Sequence, residues 1–153
     1  NNSFPECESL LNFKIKNMIR KATAVWQGTL KEGKGHLSTE SGILEETQYS
    51  YKTRFEDGKG TNPEELIGAA HSGCFTMQLS AFLAEQDFPA DELKTKSEVT
   101  FKDGAISKSH LILSAKVPNI SEEKFKEIAT KAKESCPVSK LLNTEITLDY
   151  TLN

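Results

Sequence analysis

Of the three cysteines in this 153-residue chain, Cys74 and Cys136 stand in surroundings that can make a thiol reactive. Cys74 lies in the middle of LIGAAHSGCFTMQLSAFLA (Leu66 to Ala84), a run without a single charge. His71 precedes it by three residues, on the same face of a helix, and Ser72-Gly73 could open the backbone just before the thiol. A helix restarting there would offer Cys74 unsatisfied N–H donors and the positive end of a helix dipole. The competing reading is a small buried hydrophobe, a common fate of free cysteine. Cys136 occurs in Ser135-Cys136-Pro137, where proline favours the first position of a new helix and puts the thiol at or beside an N-cap. By sequence it is the better exposed of the two, and a thiol so placed tends toward a lowered pKa. Its competing role is to plug the junction between two helices. The interval from 74 to 136 excludes a CxxC site, and whether the sulfurs meet depends on the fold.

A thiol of pKa ~8.5 is only ~3% thiolate at pH 7, whereas one lowered to ~6 is ~90% thiolate. A cationic neighbour is therefore worth seeking, and arginine suits, since it stays charged and can orient a peroxide oxygen. The chain has two, Arg20 and Arg54. Arg54 falls eight residues before the helix cap, on the non-aromatic face of an expected strand, where a solvated charge is the plainer reading. His71, Cys74 and Cys136 could also make three ligands of an open zinc site. No fourth ligand has suitable spacing, because His36 and His110 fall in strand or turn regions. Gly33 and Gly35 lack the spacing of a phosphate-binding loop, and Lys31 and Lys34 read as turn solvation.

Period-two patterning marks the elements that must position these residues. Ile19 to Leu30 alternates as a strand, Gly33 and Gly35 mark a turn, and a short strand passes through Leu37. Tyr49, Tyr51, Thr53 and Phe55 share one face of a third strand, with Arg54 on the other, ending at Asp57-Gly58. Asn62 is a good N-cap, Pro63 suits the first helical position, and Glu65 completes a capping-box-like arrangement. The uncharged helix that follows must be buried on nearly all sides, which one small domain can hardly do, so a partner subunit is expected to cover part of it. Thr95 to Lys102 and Ala105 to Val117 flank Asp103-Gly104, a strong hairpin signal. Ser121 caps a second helix with the stripe Phe125, Ile128, Ala129 and Ala132. A short helix after Cys136 and a strand alternating Ile146, Leu148, Tyr150 and Leu152 close the chain. The expected order is βββ-α-ββ-α-β, an α+β fold in one domain.

Composition narrows the function. With 19 basic and 22 acidic residues, the net charge of −3 supplies no basic field for a nucleic-acid backbone. No stretch approaches the ~20 apolar residues of a membrane span. An odd, low cysteine count suits a reducing cytosol rather than a disulfide scaffold. Residues 1–17, NNSFPECESLLNFKIKN, lack a signal-peptide core and break the pattern that begins after Met18, so they are read as a foreign, read-through leader rather than a native flexible arm. Cys7 is then incidental, and the functional domain is residues 18–153.

Three runs carry a family resemblance: AVWQGTLKEGKGHLSTESGIL (Ala24 to Leu44), TRFEDGKGTNPEELIGAAHSGCFTMQLS (Thr53 to Ser80) and KAKESCPVSKLLNTEITLDYTL (Lys131 to Leu152). Together they closely resemble the osmotically inducible protein C (OsmC) family, related to the organic hydroperoxide resistance proteins, over Met18 to Asn153. The resemblance implies an OsmC-like intertwined homodimer with a long buried central helix. It implies a thiol peroxidase of oxidative and osmotic stress defence that uses no haem, metal or flavin. Cys74 matches the peroxidatic cysteine, Cys136 the resolving one, Arg54 the arginine that holds the thiolate and polarises the peroxide, and Glu64 its acidic partner. The implied substrates are organic hydroperoxides, with hydrogen peroxide reduced less well, and the implied reductant is a dithiol such as a lipoylated protein or thioredoxin. One point is geometrically awkward: along an unbroken helix, ten residues put Glu64 ~15 Å from Cys74. Glu64 then serves Cys74 only if the helix breaks near Gly68 or Gly73, or if the acid and Arg54 come from the partner chain; Glu65 is a possible substitute. Gly73 stands where alanine is common in the family and is expected to loosen the helix locally. A non-catalytic binding or regulatory module with packing cysteines is the alternative, since a fold does not fix function.

Overall fold

The computed structural model describes residues 17–153. Its elements are β1 (Ala22–Gln27), β2 (Lys34–Thr39), β3 (Thr47–Tyr49), α1 (Tyr51–Phe55), α2 (Pro63–Glu85), β4 (Glu92–Lys102), β5 (Ala105–Lys116), α3 (Glu122–Ser135), α4 (Pro137–Leu141) and β6 (Glu145–Leu152). The class is α+β, as expected, with two three-stranded sheets ordered β1-β2-β3 and β4-β5-β6. Of the expected leader, residues 1–16 lie outside the described residues.

The second sheet holds the core. Asp103 and Gly104 both take positive φ, 51° and 80°, which closes the β4–β5 hairpin as its sequence signal requires. β6 pairs parallel to β5, and α3 with α4 supplies the crossover that a parallel pair needs. Along β5, Ser109, Leu111, Leu113 and Ala115 point inward while the residues between them face out or lie at the margin. They meet Phe75, Leu79 and Leu83 of α2, and Phe125, Ile128, Ala129 and Ala132 of α3, the stripe foreseen from its 3.6-residue period. At ~1.5–3 kcal/mol for each large apolar side chain, this one layer dominates the stability of the chain.

Nothing from the first sheet enters that core. β1 is exposed along its length apart from a half-buried Trp26, although a small antiparallel sheet ordinarily covers one face. The sheet joins the rest of the chain mainly through α1 and the loop after it. Asn62 Nδ2 donates to the Thr53 carbonyl at 3.1 Å, and the Phe55 ring meets Phe101 of β4 edge-on at 5.6 Å.

Three local expectations are corrected. The third strand stops at Tyr49, and Tyr51–Phe55 is a helical turn. Ser50 and Thr53 cap it reciprocally: the Thr53 N–H donates to Ser50 Oγ at 3.2 Å, and the Ser50 N–H to Thr53 Oγ1 at 2.8 Å. Those bonds, with the Tyr51 ring tilted against Phe55 four residues on, outweigh the alternating aromatics. The first strand is likewise shorter than expected, paired only over Ala22–Gln27.

The third correction concerns α2, which runs 23 residues without a break. Asn62 Oδ1 accepts from the Glu65 N–H at 2.8 Å and Pro63 stands in the first turn, as its sequence predicts. Ser72 does not open the backbone; its hydroxyl donates back to the Gly68 carbonyl at 2.8 Å. Gly73 is exposed and the helix passes straight through it. The inner face carries Gly68, His71, Phe75, Leu79, Phe82 and Leu83. The outer face carries Ala69, Ala70, Gly73, Met77 and Ser80, with Met77 77% exposed. Its own chain therefore buries one side of this uncharged helix and leaves the other open. Among the described residues, no helix is long and apolar enough to cross a membrane.

Candidate active site

The fold brings Cys74 and Cys136 side by side. Cys136 closes α3 and caps α4, its sulfur accepting from the Ser139 N–H at 3.4 Å, so the Cys-Pro signal for a new helix holds. The packing of α2 against α3 and α4 sets that corner over the middle of α2, and the two thiols lie close enough for each to shift the acidity of the other. Both are free. Their exposures reverse the expectation from sequence: Cys136 is fully buried and Cys74 only partly. The N-cap position that suggested exposure lies at an inward-facing corner, under the apolar side of α2.

His71, one turn before Cys74, is fully buried and engaged at both nitrogens. Nδ1 lies 2.6 Å from Ser109 Oγ and Nε2 lies 2.8 Å from Ser139 Oγ. Among the described residues, no group of three or more His, Cys, Asp or Glu side chains is placed to hold a metal ion.

The two thiols differ in acidity. Burial pushes Cys136 up, but hydrogen bonds from His71, from the Ser139 hydroxyl and N–H, and from Cys74 outweigh it and bring the thiol down to about 7. Cys74 moves the other way: burial raises it, a backbone bond from Val138 offsets part of that, and the adjoining Cys136 raises it further. The expected restart of α2, which would have lowered Cys74, is absent, and α2 itself offers the thiol no spare N–H group; its backbone donor, Val138, comes from the first turn of α4.

Arg54 and Glu64 form a second cluster. Arg54 donates to Glu64 Oε1 through Nε at 3.0 Å and through Nη2 at 2.8 Å. The guanidinium also lies 5.2 Å from the centre of the Phe55 ring and 5.4 Å from that of Phe101. Glu65, the substitute, is otherwise occupied, its carboxylate accepting from Thr61 Oγ1 at 2.8 Å. Glu64 Oε2 is buried without a hydrogen-bond donor. Beside this pair opens a cavity of about 320 Å³ walled by Trp26, Leu30, Tyr49, Tyr51, Arg54 and Phe55. Gly35 permits the aromatic wall, since a Cβ there would come within 2.5 Å of the Trp26 ring and 2.6 Å of Tyr49. No cysteine lines this cavity. Glu64 and Cys74 stand ten residues apart on one straight helix, ~15 Å along its axis. Within a single chain the expected site is thus divided into a thiol half and an arginine half.

Sequence reading missed several members of these clusters. Ser139 was within reach, because CPVS places a hydroxyl and an N–H three residues after a cap. The Ser50–Thr53 capping box that sets the helical placement of Arg54 was equally local. Ser109 and Phe101 had no local signal; the packing of α2 on the second sheet brings Ser109 to His71, and the docking of α1 on β4 brings Phe101 to Arg54.

Residues 56–151 match the family model described as OsmC-like protein. The chain is 48% identical over 137 residues to the peroxiredoxin OsmC of Escherichia coli (strain K12), covering 87% of this chain and 96% of that protein. It is 30% identical over 114 residues to the organic hydroperoxide resistance protein OhrB of Bacillus subtilis (strain 168), covering 69% of this chain and 79% of that protein. Among solved structures, an OsmC-like protein from Mycoplasma pneumoniae superposes with a TM-score of 0.70 at 16% identity, covering 90% of this chain and 99% of that one. OhrB of Bacillus subtilis superposes with a TM-score of 0.59 at 24% identity, covering 87% and 98%. At these identities the superpositions establish the fold alone.

Proposed function

The chain belongs to the OsmC family, and from that membership and the apposition of its two buried-side thiols we propose that it is a cysteine-based peroxidase that reduces organic hydroperoxides, with hydrogen peroxide a poorer substrate, in defence against oxidative and osmotic stress. The contact between Cys74 and Cys136 carries the reading. In the first step the Cys74 thiolate attacks the distal peroxide oxygen. The O–O bond breaks, the departing alkoxide takes a proton to become the alcohol, and the cysteine is left as a sulfenic acid. In the second step Cys136 attacks the sulfenic sulfur, forming the disulfide and releasing water. An external dithiol, a lipoylated or thioredoxin-like protein, reopens the disulfide by exchange in the reducing cytosol. The catalytic domain is residues 18–153.

Cys74 needs a cation that its own chain does not bring to it. A guanidinium ~4 Å from a thiolate at an effective dielectric of ~20 contributes about 4 kcal/mol, roughly three pKa units, enough to reverse the effect of burial. In the proposed homodimer, Arg54 and Glu64 of the partner subunit supply it. Three observations support this: the unbroken α2, the first sheet with no core beneath it, and the arginine-lined aromatic cavity without a thiol. The open face of α2 and the undonated Glu64 Oε2 fit the same assembly. The cavity's apolar walls account for preference toward organic hydroperoxides, which gain ~25 cal/mol per Å² of apolar surface buried.

The test is intact mass of the reduced protein before and after one equivalent of cumene hydroperoxide. A loss of about two mass units, with Cys74 and Cys136 recovered in one linked peptide pair, is the expected result. An unchanged mass with both thiols still titratable would overturn the proposal in favour of a non-catalytic binding module.

A further inference from the structure

Behind Cys136 lies a chain of buried polar groups that the chemistry above does not use. Cys136 Sγ is 3.0 Å from Ser139 Oγ, Ser139 Oγ is 2.8 Å from His71 Nε2, His71 Nδ1 is 2.6 Å from Ser109 Oγ, and Ser109 Oγ is 3.0 Å from Ser97 Oγ. The five residues come from α2, β4, β5 and the α3–α4 corner, and His71, Ser109, Ser139 and Cys136 are all buried. An imidazole held inside an apolar core is costly unless both nitrogens are satisfied, and a hydrophobic side chain of equal volume would pack there without that requirement. Hydroxyls donate and accept at once, so one consistent donor order runs along the whole chain. In it the Cys136 S–H donates to Ser139 Oγ and the Ser139 O–H donates to His71 Nε2. The His71 Nδ1–H then donates to Ser109, which donates to Ser97. That is the arrangement by which a titratable ring takes a proton from a thiol through one hydroxyl.

We propose that His71 is a positioning residue that holds the Cys136 proton, by way of Ser139, while Cys136 resolves the oxidised Cys74. The inference rests on the peroxidase reading. As the Cys136 sulfur bonds to the sulfenic sulfur of Cys74, its S–H bond breaks; the proton passes to Ser139 Oγ, and the Ser139 proton passes to His71 Nε2. The sulfenic S–O bond breaks and hydroxide leaves. The imidazolium returns its proton by the same path, and the hydroxide departs as water. Sulfenic acid and thiol thus give disulfide and water, with Cys136 oxidised, the Cys74 sulfenic sulfur reduced, and no net proton taken up. His71 faces the neutral hydroxyls of Ser109 from β5 and Ser139 from α4, with Ser97 of β4 behind them, and the titratable group beside it is Cys136, which His71 itself makes more acidic.

His71→Gln keeps an amide in place of the ring and removes its titration. Ser139→Ala leaves the ring and cuts the path, and it serves also if His71→Gln fails to fold. Two readouts are needed. In the first, one equivalent of cumene hydroperoxide is added and the lifetime of the Cys74 sulfenic acid is followed by dimedone trapping. Either variant should form the sulfenic acid at the unsubstituted rate and keep it roughly 100-fold longer, the lower bound of general acid–base assistance. The second uses no peroxide. In a Cys74→Ser background, the pH midpoint for alkylation of Cys136 by iodoacetamide should rise when either substitution is added. Unchanged lifetimes and an unchanged midpoint in both variants would overturn the role of His71. Failure of the unsubstituted protein to form any sulfenic acid would instead overturn the peroxidase reading, and with it the relay's function, while the alkylation midpoint still reports whether the connection exists.

Discussion

Arg54 grips one carboxylate oxygen of Glu64 through two of its nitrogens, at 3.0 and 2.8 Å, in the first turn of the same straight helix that carries Cys74. The pair is therefore fixed to Cys74 at a distance no side chain can cross within one subunit. If the pair serves the thiol, it does so across a dimer, and mixing separates the two cases. Arg54→Ala and Cys74→Ser proteins, each inactive alone, should regain about a quarter of the unsubstituted activity when mixed equally and allowed to exchange, because half of the dimers then hold one complete site. Recovery of no activity, with exchange verified by mass, would refute the shared site.

The two thiols should fail differently. Cys74→Ser is expected to abolish hydroperoxide turnover, since among the described residues no other thiol stands beside Cys136. Cys136→Ser should consume one equivalent and stop, leaving Cys74 as a sulfenic acid that dimedone traps in the absence of air and catalase. Sustained turnover by the first, or no dimedone adduct in the second, contradicts the assignment.

The acidity of Cys136 makes the reduced protein's stability depend on pH. In the unfolded chain the thiol titrates near its ordinary 9.0, and in the folded chain near about 7. Between those values the unfolded state binds a proton that the folded state does not, so stability rises with pH across this window and the gain is lost as pH falls through 7. Cys74, raised above 9.0, works the other way: toward pH 9 the unfolded thiol begins to ionise while the folded one keeps its proton, so it opposes folding from the top of this window upward. Urea midpoints of the reduced protein should climb from pH 7 to 9, and Cys136→Ser should flatten that climb. An identical slope in the variant would show that the depressed thiol is not its source.

Gly73 lies on the exposed face of α2, with nothing within 4 Å of a Cβ built there. Gly73→Ala should therefore raise the unfolding free energy by about 0.5–1 kcal/mol by restricting the unfolded chain and favouring the helix, with turnover retained. A lower thermal midpoint would mean that the face of α2 meets a partner backbone too closely for a methyl group.

Where hydrogen bonds close within a few residues, the sequence was sufficient. Asn62 and Pro63 start α2, Asp103-Gly104 turns the β4–β5 hairpin, Ser121 caps α3, and Pro137 makes Cys136 a cap. The spacing of Phe125, Ile128, Ala129 and Ala132 named the inner face of α3 by the period of the helix. The turn at Tyr51–Phe55 was legible too, in the Ser50–Thr53 box, but the alternating aromatics masked it. Tertiary structure decided everything that depends on which remote surfaces meet. Packing of α2 against its core kept the helix straight through Gly73, and the placement of the α3–α4 corner buried Cys136 beneath Cys74. Docking of α2 and α1 on the second sheet put Ser109 on His71 and Phe101 on Arg54. Local bonds are set by neighbours in the chain, whereas these contacts arise only when separate apolar faces leave water together, and that free energy belongs to the assembled fold rather than to any one segment of it.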